Sequence, residues 1–172
     1  MAVYALGERV PTIADTAYIH PDATVIGSVT IGEYSSVWPA TVLRGDYGEI
    51  TVGDRTSVQD GAVIHATHDL STHIGSDCVI GHNAHLEGCT IEDKSLVGSG
   101  SIVLHRAIVR TGGLVGAGAV VSNGTEVPSG AMALGVPAKI KPDSVTPEFI
   151  EIAVAVYIEN AKRYPTQLRR ID

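Results

Sequence analysis

Three side chains near the middle of the chain, His65, His82 and Glu87, are of the types that bind metal ions. Two imidazoles and one carboxylate form a common ligand set for catalytic zinc, whose fourth position stays open for water. A metal held in this way makes its bound water more acidic and so supplies a nucleophile near neutral pH. These residues therefore predict metal-assisted chemistry, provided that the fold brings them together.

The elements that must position these side chains are predicted by a six-residue repeat. A fixed short period is typical of architectures in which each unit buries its hydrophobic face only by stacking on its neighbours. Six-residue units with one inward aliphatic side chain favour a parallel β-helix, in which each short strand adds one residue to a narrow core. The predicted inward positions are Ile19, Val25, Ile31, Val37, Leu43, Val52, Val58, Ile64, Ile74, Ile80, Leu86, Ile91, Val97, Val103, Val109, Val115, Val121, Val127 and Ala133.

The composition is consistent with one solenoid domain. Hydrophobic residues make up 44% of the 172 residues but aromatic residues only 5%, as expected for a core too narrow for rings. We expect a leader over residues 1–18, the β-helix over 19–140 and a C-terminal helix over 146–164 packed on its flank. A threonine, a proline and a glutamate open this helix, and Pro165 is expected to end it.

Charge and hydropathy argue against several classes of function. A net charge of −7 lacks the basic face that nucleic-acid binding needs. No apolar run is long enough to span a membrane, and the N-terminus lacks the pattern of a secretory signal. Cys78 and Cys89 are expected to be reduced thiols, so we expect a cytoplasmic protein.

The winding register predicts which residues meet. Three repeats complete one coil, so Ile64 should lie beside Leu86 on the same wall, and Glu87 should stack on His65 at about 4.8 Å. Both of these polar side chains should point outward. His82 should lie on a different wall of its own chain. A site built from all three side chains therefore requires two subunits, with His82 contributed by a neighbour.

Two interruptions of the repeat are expected to form loops on the functional face. The first inserts three residues within Arg44–Glu49, and the second inserts four in the stretch between Ile64 and Ile74. His68 and His73 lie in the second stretch. They could shuttle protons, since histidine titrates near neutral pH, or they could be solvated loop residues.

Six longer motifs stand out beside the repeat: Leu43-Arg44-Gly45-Asp46, Ser57-Val58-Gln59-Asp60, Val63-Ile64-His65, Ile80-Gly81-His82, Leu86-Glu87-Gly88-Cys89-Thr90-Ile91 and Gly135-Val136-Pro137-Ala138-Lys139. They resemble the gamma-class carbonic anhydrase family, whose members are also described as hexapeptide-repeat transferases or ferripyochelin-binding proteins. The similarity covers nearly the whole chain. It implies a left-handed parallel β-helix and a homotrimer with zinc held between subunits, although iron and cobalt can use such ligands.

The resemblance also implies roles for four polar residues around the metal. Arg44 and Asp46 match a pair that ties adjacent subunits together near the metal. Gln59 matches a residue that hydrogen-bonds the metal-bound water, and Asp60 matches a neighbouring polar residue of the site. An ordinary exposed ion pair remains an alternative for Arg44 and Asp46, and a turn cap remains one for Asp60.

The chain departs from the family pattern at one metal ligand. His65 and His82 match two of the three zinc ligands, but Glu87 stands where the family has its third histidine. Glu87 could bind the metal in its place and make it a weaker Lewis acid. His85 could instead supply the third nitrogen, or the site could have lost its metal and left Glu87 in a salt bridge.

The function that the resemblance implies is that of a lyase, the reversible hydration of carbon dioxide to bicarbonate by a metal-bound hydroxide at the trimer interface. A metal-dependent thioesterase would use the same parts. A hexapeptide acyltransferase that uses coenzyme A would instead need a histidine base, for which His68 and His73 are candidates. A catalytically silent trimeric binding or assembly protein is the third alternative.

Overall fold

The computed structural model describes residues 2–172, which form twenty strands and one helix. The elements in chain order are β1 (Ala2–Tyr4), β2 (Thr12–Ile13), β3 (Tyr18–Ile19), β4 (Thr24–Ile31), β5 (Ser36–Val37), β6 (Val42–Val52), β7 (Ser57–Val58), β8 (Val63–His65), β9 (Thr72–Ile74), β10 (Val79–Ile80), β11 (His85–Glu87), β12 (Thr90–Ile91), β13 (Leu96–Val97), β14 (Ile102–Val103), β15 (Ile108–Val109), β16 (Leu114–Val115), β17 (Val120–Val121), β18 (Glu126–Val127), β19 (Met132–Leu134), β20 (Lys139–Lys141) and α1 (Pro147–Gln167).

These strands stack into the three walls of a parallel β-helix, as the repeat predicts. The first wall consists of β3, β5, β7, β10, β13, β16 and β19, and β20 closes it as an antiparallel strand. The second wall runs from the first halves of β4 and β6 through β8, β11, β14 and β17. The third runs from the second halves of β4 and β6 through β9, β12, β15 and β18. β1 and β2 pair with β4, so stacking already begins within the predicted leader.

The core lies inside these walls and is filled as predicted. Every predicted inward residue from Ile19 to Ala133 is buried. The two cysteines are free and also buried, and burial raises the pKa of both thiols to about 12. Each coil therefore contributes aliphatic side chains to one continuous column, which fixes the register of the polar residues on the outer faces.

The first interruption of the repeat does not form the predicted loop. Arg44–Glu49 lies within β6, a single strand that turns the corner from the second wall to the third. Glycine permits this close stacking, because a Cβ on Gly27 would lie 2.4 Å from the carbonyl oxygen of Gly45. The extra residues are absorbed by a register shift against β4. The second interruption does form a loop, before β9.

α1 lies along the first wall, as predicted. Near the N-terminal end of the helix, Ile150 and Val154 pack against Val79. The C-terminal half of the helix packs against an aromatic cluster that contains Tyr18 and Trp38. The hydrophobic face of the helix therefore covers the first wall, whereas β8 and β11 belong to the second. Among residues 2–172, no helix is long and apolar enough to cross a membrane.

The predicted end of α1 at Tyr164 is wrong, because the helix continues through Pro165 to Gln167. Pro165 lacks the amide that would bond to the carbonyl of Ala161, and it lies in the last turn of the helix. The amide of Leu168 then closes the end of the helix on the carbonyl of Tyr164 at 2.9 Å.

Candidate metal site

The predicted stacking of Glu87 on His65 is confirmed. The two residues are register partners on β11 and β8, and Arg44 on β6 is the partner of His65 on the coil before. Leu86 and Ile64 are partners inside the core. The outer face of the second wall thus presents an arginine, a histidine and a glutamate from three successive coils.

His65 lies between two carboxylates. Its Nδ1 is 2.6 Å from Oε1 of Glu87, and its Nε2 is 3.0 Å from Oδ1 of Asp46. Arg44 donates to the other oxygen of Asp46 within the same protomer. Both contacts of the imidazole are hydrogen bonds when each ring nitrogen carries a proton. A metal bound between His65 and Glu87 would replace the proton on Nδ1 and leave the bond to Asp46 intact.

Both carboxylates are held in their ionised form. The hydrogen bond from His65 lowers the pKa of Glu87 and outweighs the effect of its partial burial. For Asp46, burial favours the neutral acid, but hydrogen bonds from His65 and Arg44 hold its pKa below the ordinary value. Ionised oxygen atoms in this position are suited to bind a cation or to orient a histidine that does.

Glu87 also faces two further histidines. Its Oε2 lies 3.6 Å from Nε2 of His85 and 3.6 Å from Nε2 of His105. Sequence reasoning did not place His105 at the site. The winding register could have predicted this position, because the turn that contains His105 stacks directly on Gly88.

His82 forms a second pair with Asp60. Its Nδ1 lies 2.8 Å from Oδ2 of Asp60, which leaves Nε2 free to bind a metal. His82 sits in the turn between β10 and β11, where Asn83 adopts a left-handed φ of 56°. Gln59, which precedes Asp60 in the turn below, is buried. Three of the predicted site residues therefore meet at the corner between the first and second walls.

The pair of His65 and Glu87 and the pair of His82 and Asp60 lie at opposite edges of the second wall in one protomer. His82 precedes β11 and Glu87 ends it, so the strand places them on the order of 10 Å apart. Bonds to zinc are about 2 Å long, so one ion does not reach both. Consistent with this spacing, no three histidine, cysteine or acidic side chains among residues 2–172 converge as a metal site.

The histidines of the second interruption lie away from both groups. His68 is on the loop, with 85% of its side chain exposed beside Asp69. His73 was expected in the same loop but belongs to β9 on the third wall, where its Nδ1 is 2.9 Å from the hydroxyl of Thr51. His73 belongs to the strand and not to the loop because β9 pairs with β6 at this point, where Thr51 is the register partner of His73.

Comparisons with known proteins match both the repeat and the motifs. Residues 71–105 match the family model described as bacterial transferase hexapeptide (six repeats). The "Probable carbonic anhydrase" of Methanocaldococcus jannaschii is 43% identical over 152 residues, which cover 88% of this chain and 92% of that protein. "Gamma carbonic anhydrase 2, mitochondrial" of Arabidopsis thaliana is 36% identical over 91% of this chain. The chain spans only 57% of the length of this plant relative.

A solved structure shows the same fold over almost the whole chain. A Bacillus cereus protein proposed to be an acetyltransferase superposes with a TM-score of 0.94 at 34% identity, covering 97% of this chain and 98% of that one. The architecture is thus the left-handed parallel β-helix of hexapeptide repeats, with one C-terminal helix. Together with the near-complete match to the Methanocaldococcus protein, this places the chain in the gamma-class carbonic anhydrase-like family of hexapeptide-repeat proteins.

Proposed function

We propose that this protein hydrates carbon dioxide reversibly to bicarbonate at a metal site shared by neighbouring subunits of a homotrimer. His65 and Glu87 come from one subunit and His82 from the next. The observation that carries the proposal is the stacking of Glu87 on His65, with 2.6 Å between Oε1 and Nδ1. Relatives that are named carbonic anhydrases support the reaction.

The chemistry of the donors fits zinc. Metal-binding histidines usually donate their second N–H to a carboxylate, which fixes the ring and its tautomer. Asp46 accepts from His65 in this way, and Asp60 does so for His82. When bound, zinc supplies an acidified water as the nucleophile. Iron and cobalt would accept the same donors.

The residues of the chain then have separable tasks. His65, His82 and Glu87 hold the metal, and Arg44 fixes the carboxylate of Asp46 against His65. We assign to Gln59 the orientation of the nucleophile.

His68 is suited to release protons to solvent because its ring is exposed and an imidazole can both accept and donate a proton. The negative charge of Glu87 reduces the acidity of the bound water relative to a site with three neutral histidines.

The proposed location of the protein in the cytoplasm stays a prediction.

The test is the dependence of carbon dioxide hydration on zinc. We expect the purified trimer to accelerate hydration in a stopped-flow indicator assay, to lose this activity in EDTA and to regain it with zinc. His82→Ala should bind less zinc and lose the activity, whereas His73→Ala, on the third wall, should match the parent. A zinc-loaded trimer without hydration activity would contradict the proposal.

An acyltransferase that uses coenzyme A is the second candidate, because the Bacillus cereus structure with nearly the same fold is proposed to be an acetyltransferase. Its base would be His68 or His73, of which the first is exposed and the second pairs with Thr51. Turnover of acetyl-coenzyme A that survives EDTA would favour this candidate. Hydrolysis of a thioester that requires zinc would favour a thioesterase, and no activity with intact trimers would favour a binding or assembly role.

A further inference from the structure

The buried hydroxyl of Thr72 lies between the strand that ends in His65 and the strand that ends in Glu87. Thr72 has 0% exposed surface, although it directly follows the loop of the second interruption and begins β9. Its Oγ1 donates a hydrogen bond to the carbonyl oxygen of His65 at 2.5 Å and accepts one from the amide of Gly88 at 2.8 Å. One side chain therefore joins the backbone of one proposed metal ligand to the residue that follows another.

The two backbone groups that Thr72 contacts are those that the sheet pattern would pair next. In a parallel ladder, the hydrogen bonds between neighbouring strands are evenly spaced. Glu87 is the register partner of His65, so continuation of this ladder would bring the amide of Gly88 to the carbonyl of His65. Because the hydroxyl bonds to both groups, it sets the distance between the two coils where the proposed ligands lie.

Close packing of the preceding loop places this hydroxyl. A Cβ on Gly88 would lie 2.9 Å from the Cβ of Leu70, and a Cβ on Gly48 would clash with the carbonyl oxygen of Thr67. Gly88 also has a left-handed φ of 60°, which disfavours other residues. The two glycines let the loop lie tightly on the coils below and above it, and β9 begins from this fixed position.

We propose that Thr72 is a positioning residue, whose hydroxyl holds His65 and Glu87 in the register in which they can share one ion. The inference rests on the proposed function and deepens it, because it gives the second interruption a role in the boundary site, the metal site between subunits. Groups that orient metal ligands typically contribute about 10- to 100-fold to metal affinity. Loss of this hydroxyl should therefore weaken zinc binding by about tenfold or more.

A second buried threonine provides a matched control. Oγ1 of Thr56 donates to the carbonyl of Gly75 at 2.7 Å and accepts from the amide of Cys78 at 3.1 Å. Thr56 is 1% exposed and precedes β7, at the edge of the first wall opposite His82. Valine has the shape of threonine without its hydroxyl, so Thr72→Val and Thr56→Val each remove one buried link between coils. Both should lose stability, but only Thr72→Val should change the site.

Zinc affinity, measured by competition with a chromophoric chelator, tests the proposal in the parent, Thr72→Val, Thr72→Ser and Thr56→Val. We expect binding at least about tenfold weaker in Thr72→Val alone, since serine keeps the hydroxyl. Urea unfolding in EDTA measures the stability that each variant loses. Parental affinity in Thr72→Val, an equal loss in Thr56→Val or no rescue by serine would overturn the proposal. If Thr72→Val does not fold, Thr72→Ala takes its place.

NMR of the metal-free protein separates this proposal from the proposed function. The hydrogen bond between Nδ1 of His65 and Glu87 should give a low-field imidazole proton signal, assigned by its loss in His65→Ala. We expect this signal in the parent, Thr72→Ser and Thr56→Val, but not in Thr72→Val. A parent that shows the signal and binds no zinc contradicts the boundary site, and the signal then decides the role of Thr72. A signal that persists in Thr72→Val, or is absent from the parent, would overturn that role.

Discussion

At the scale of single residues, the charge on Glu87 distinguishes this site from one with three histidines. An anionic ligand donates more charge to the metal, so the bound water keeps its proton to a higher pH. The hydrogen bond with His65 places the carboxylate beside the ring that we propose as a ligand. In the proposed site, its charge would tune the reaction without removing the site.

Replacing Glu87 with histidine should raise the hydration rate. We expect Glu87→His to increase kcat/KM for carbon dioxide at neutral pH by about tenfold, because a neutral ligand leaves a more acidic bound water. The pH profile of the rate should shift toward lower pH. Stopped-flow assays of the zinc-loaded parent and variant provide the comparison, with Glu87→Gln as a neutral control that lacks the imidazole. An equal or slower rate for Glu87→His with full zinc would contradict the effect.

Part of this site could be predicted by counting along the sequence. The aliphatic repeat fixes the coil, so it places Glu87 on His65 and separates both from His82. It does not show which carboxylates turn toward the imidazoles, since that depends on side-chain rotamers. Counting also brings Val103 onto Leu86 and so places His105 beside Gly88, but it does not show that the ring of His105 turns toward Glu87.

At the scale of elements, α1 is held by one face. Ile150 is 2% exposed against the first wall, whereas Ile152, on the opposite side of the same helix, is 65% exposed. The sequence predicts this helix from its spacing of apolar residues. It does not predict that the helix continues beyond Tyr164, because a proline usually kinks or ends a helix.

Truncation of these two isoleucines should separate packing from helix propensity. We expect Ile150→Ala to lower the free energy of unfolding by about 2–5 kcal/mol, because it opens a cavity between α1 and the wall. Ile152→Ala should change it by less than about 0.5 kcal/mol. Urea unfolding followed by circular dichroism measures both. Equal losses would show that α1 does not dock through the face that contains Ile150.

The corners between walls carry their own stabilising contacts. Arg55 donates through Nε and Nη2 to both oxygens of Asp77 on the next coil, at 2.7 and 2.8 Å. These hydrogen bonds lower the pKa of Asp77 despite its partial burial. A carboxyl group with a lowered pKa in the folded state stabilises the fold above its unfolded pKa of about 4, and this contribution is lost as the pH falls through the folded pKa.

Asp77→Asn should therefore destabilise the protein at neutral pH and have little effect in acid. The expected loss is about 0.5–1 kcal/mol at pH 7, since Arg55 is partly solvated. Asparagine tolerates the left-handed backbone at this position, where φ is 57°. Urea unfolding between about pH 2 and pH 7 gives the difference, with the exposed Asp69→Asn as control. A loss that does not depend on pH would exclude the ion pair as its cause.

At the scale of the whole molecule, one protomer holds two halves of the proposed boundary site at opposite edges of the second wall. A closed ring of three identical subunits would bring the His82 edge of each against the His65 edge of the next. The repeat predicts the separation of these halves, because it assigns them to different positions of one coil. The sequence repeat carries no information about how subunits meet, so the homotrimer stays a proposal.

The most direct test of this shared site is complementation between two inactive variants. His65→Ala and His82→Ala should each lack carbon dioxide hydration as pure trimers. After unfolding and refolding as an equal mixture, about a quarter of the boundaries should pair an intact His65 edge with an intact His82 edge. We predict that the mixture recovers about a quarter of the parental zinc-dependent rate. Mixed trimers, verified by native mass spectrometry, that stay as inactive as the two variants would contradict the site.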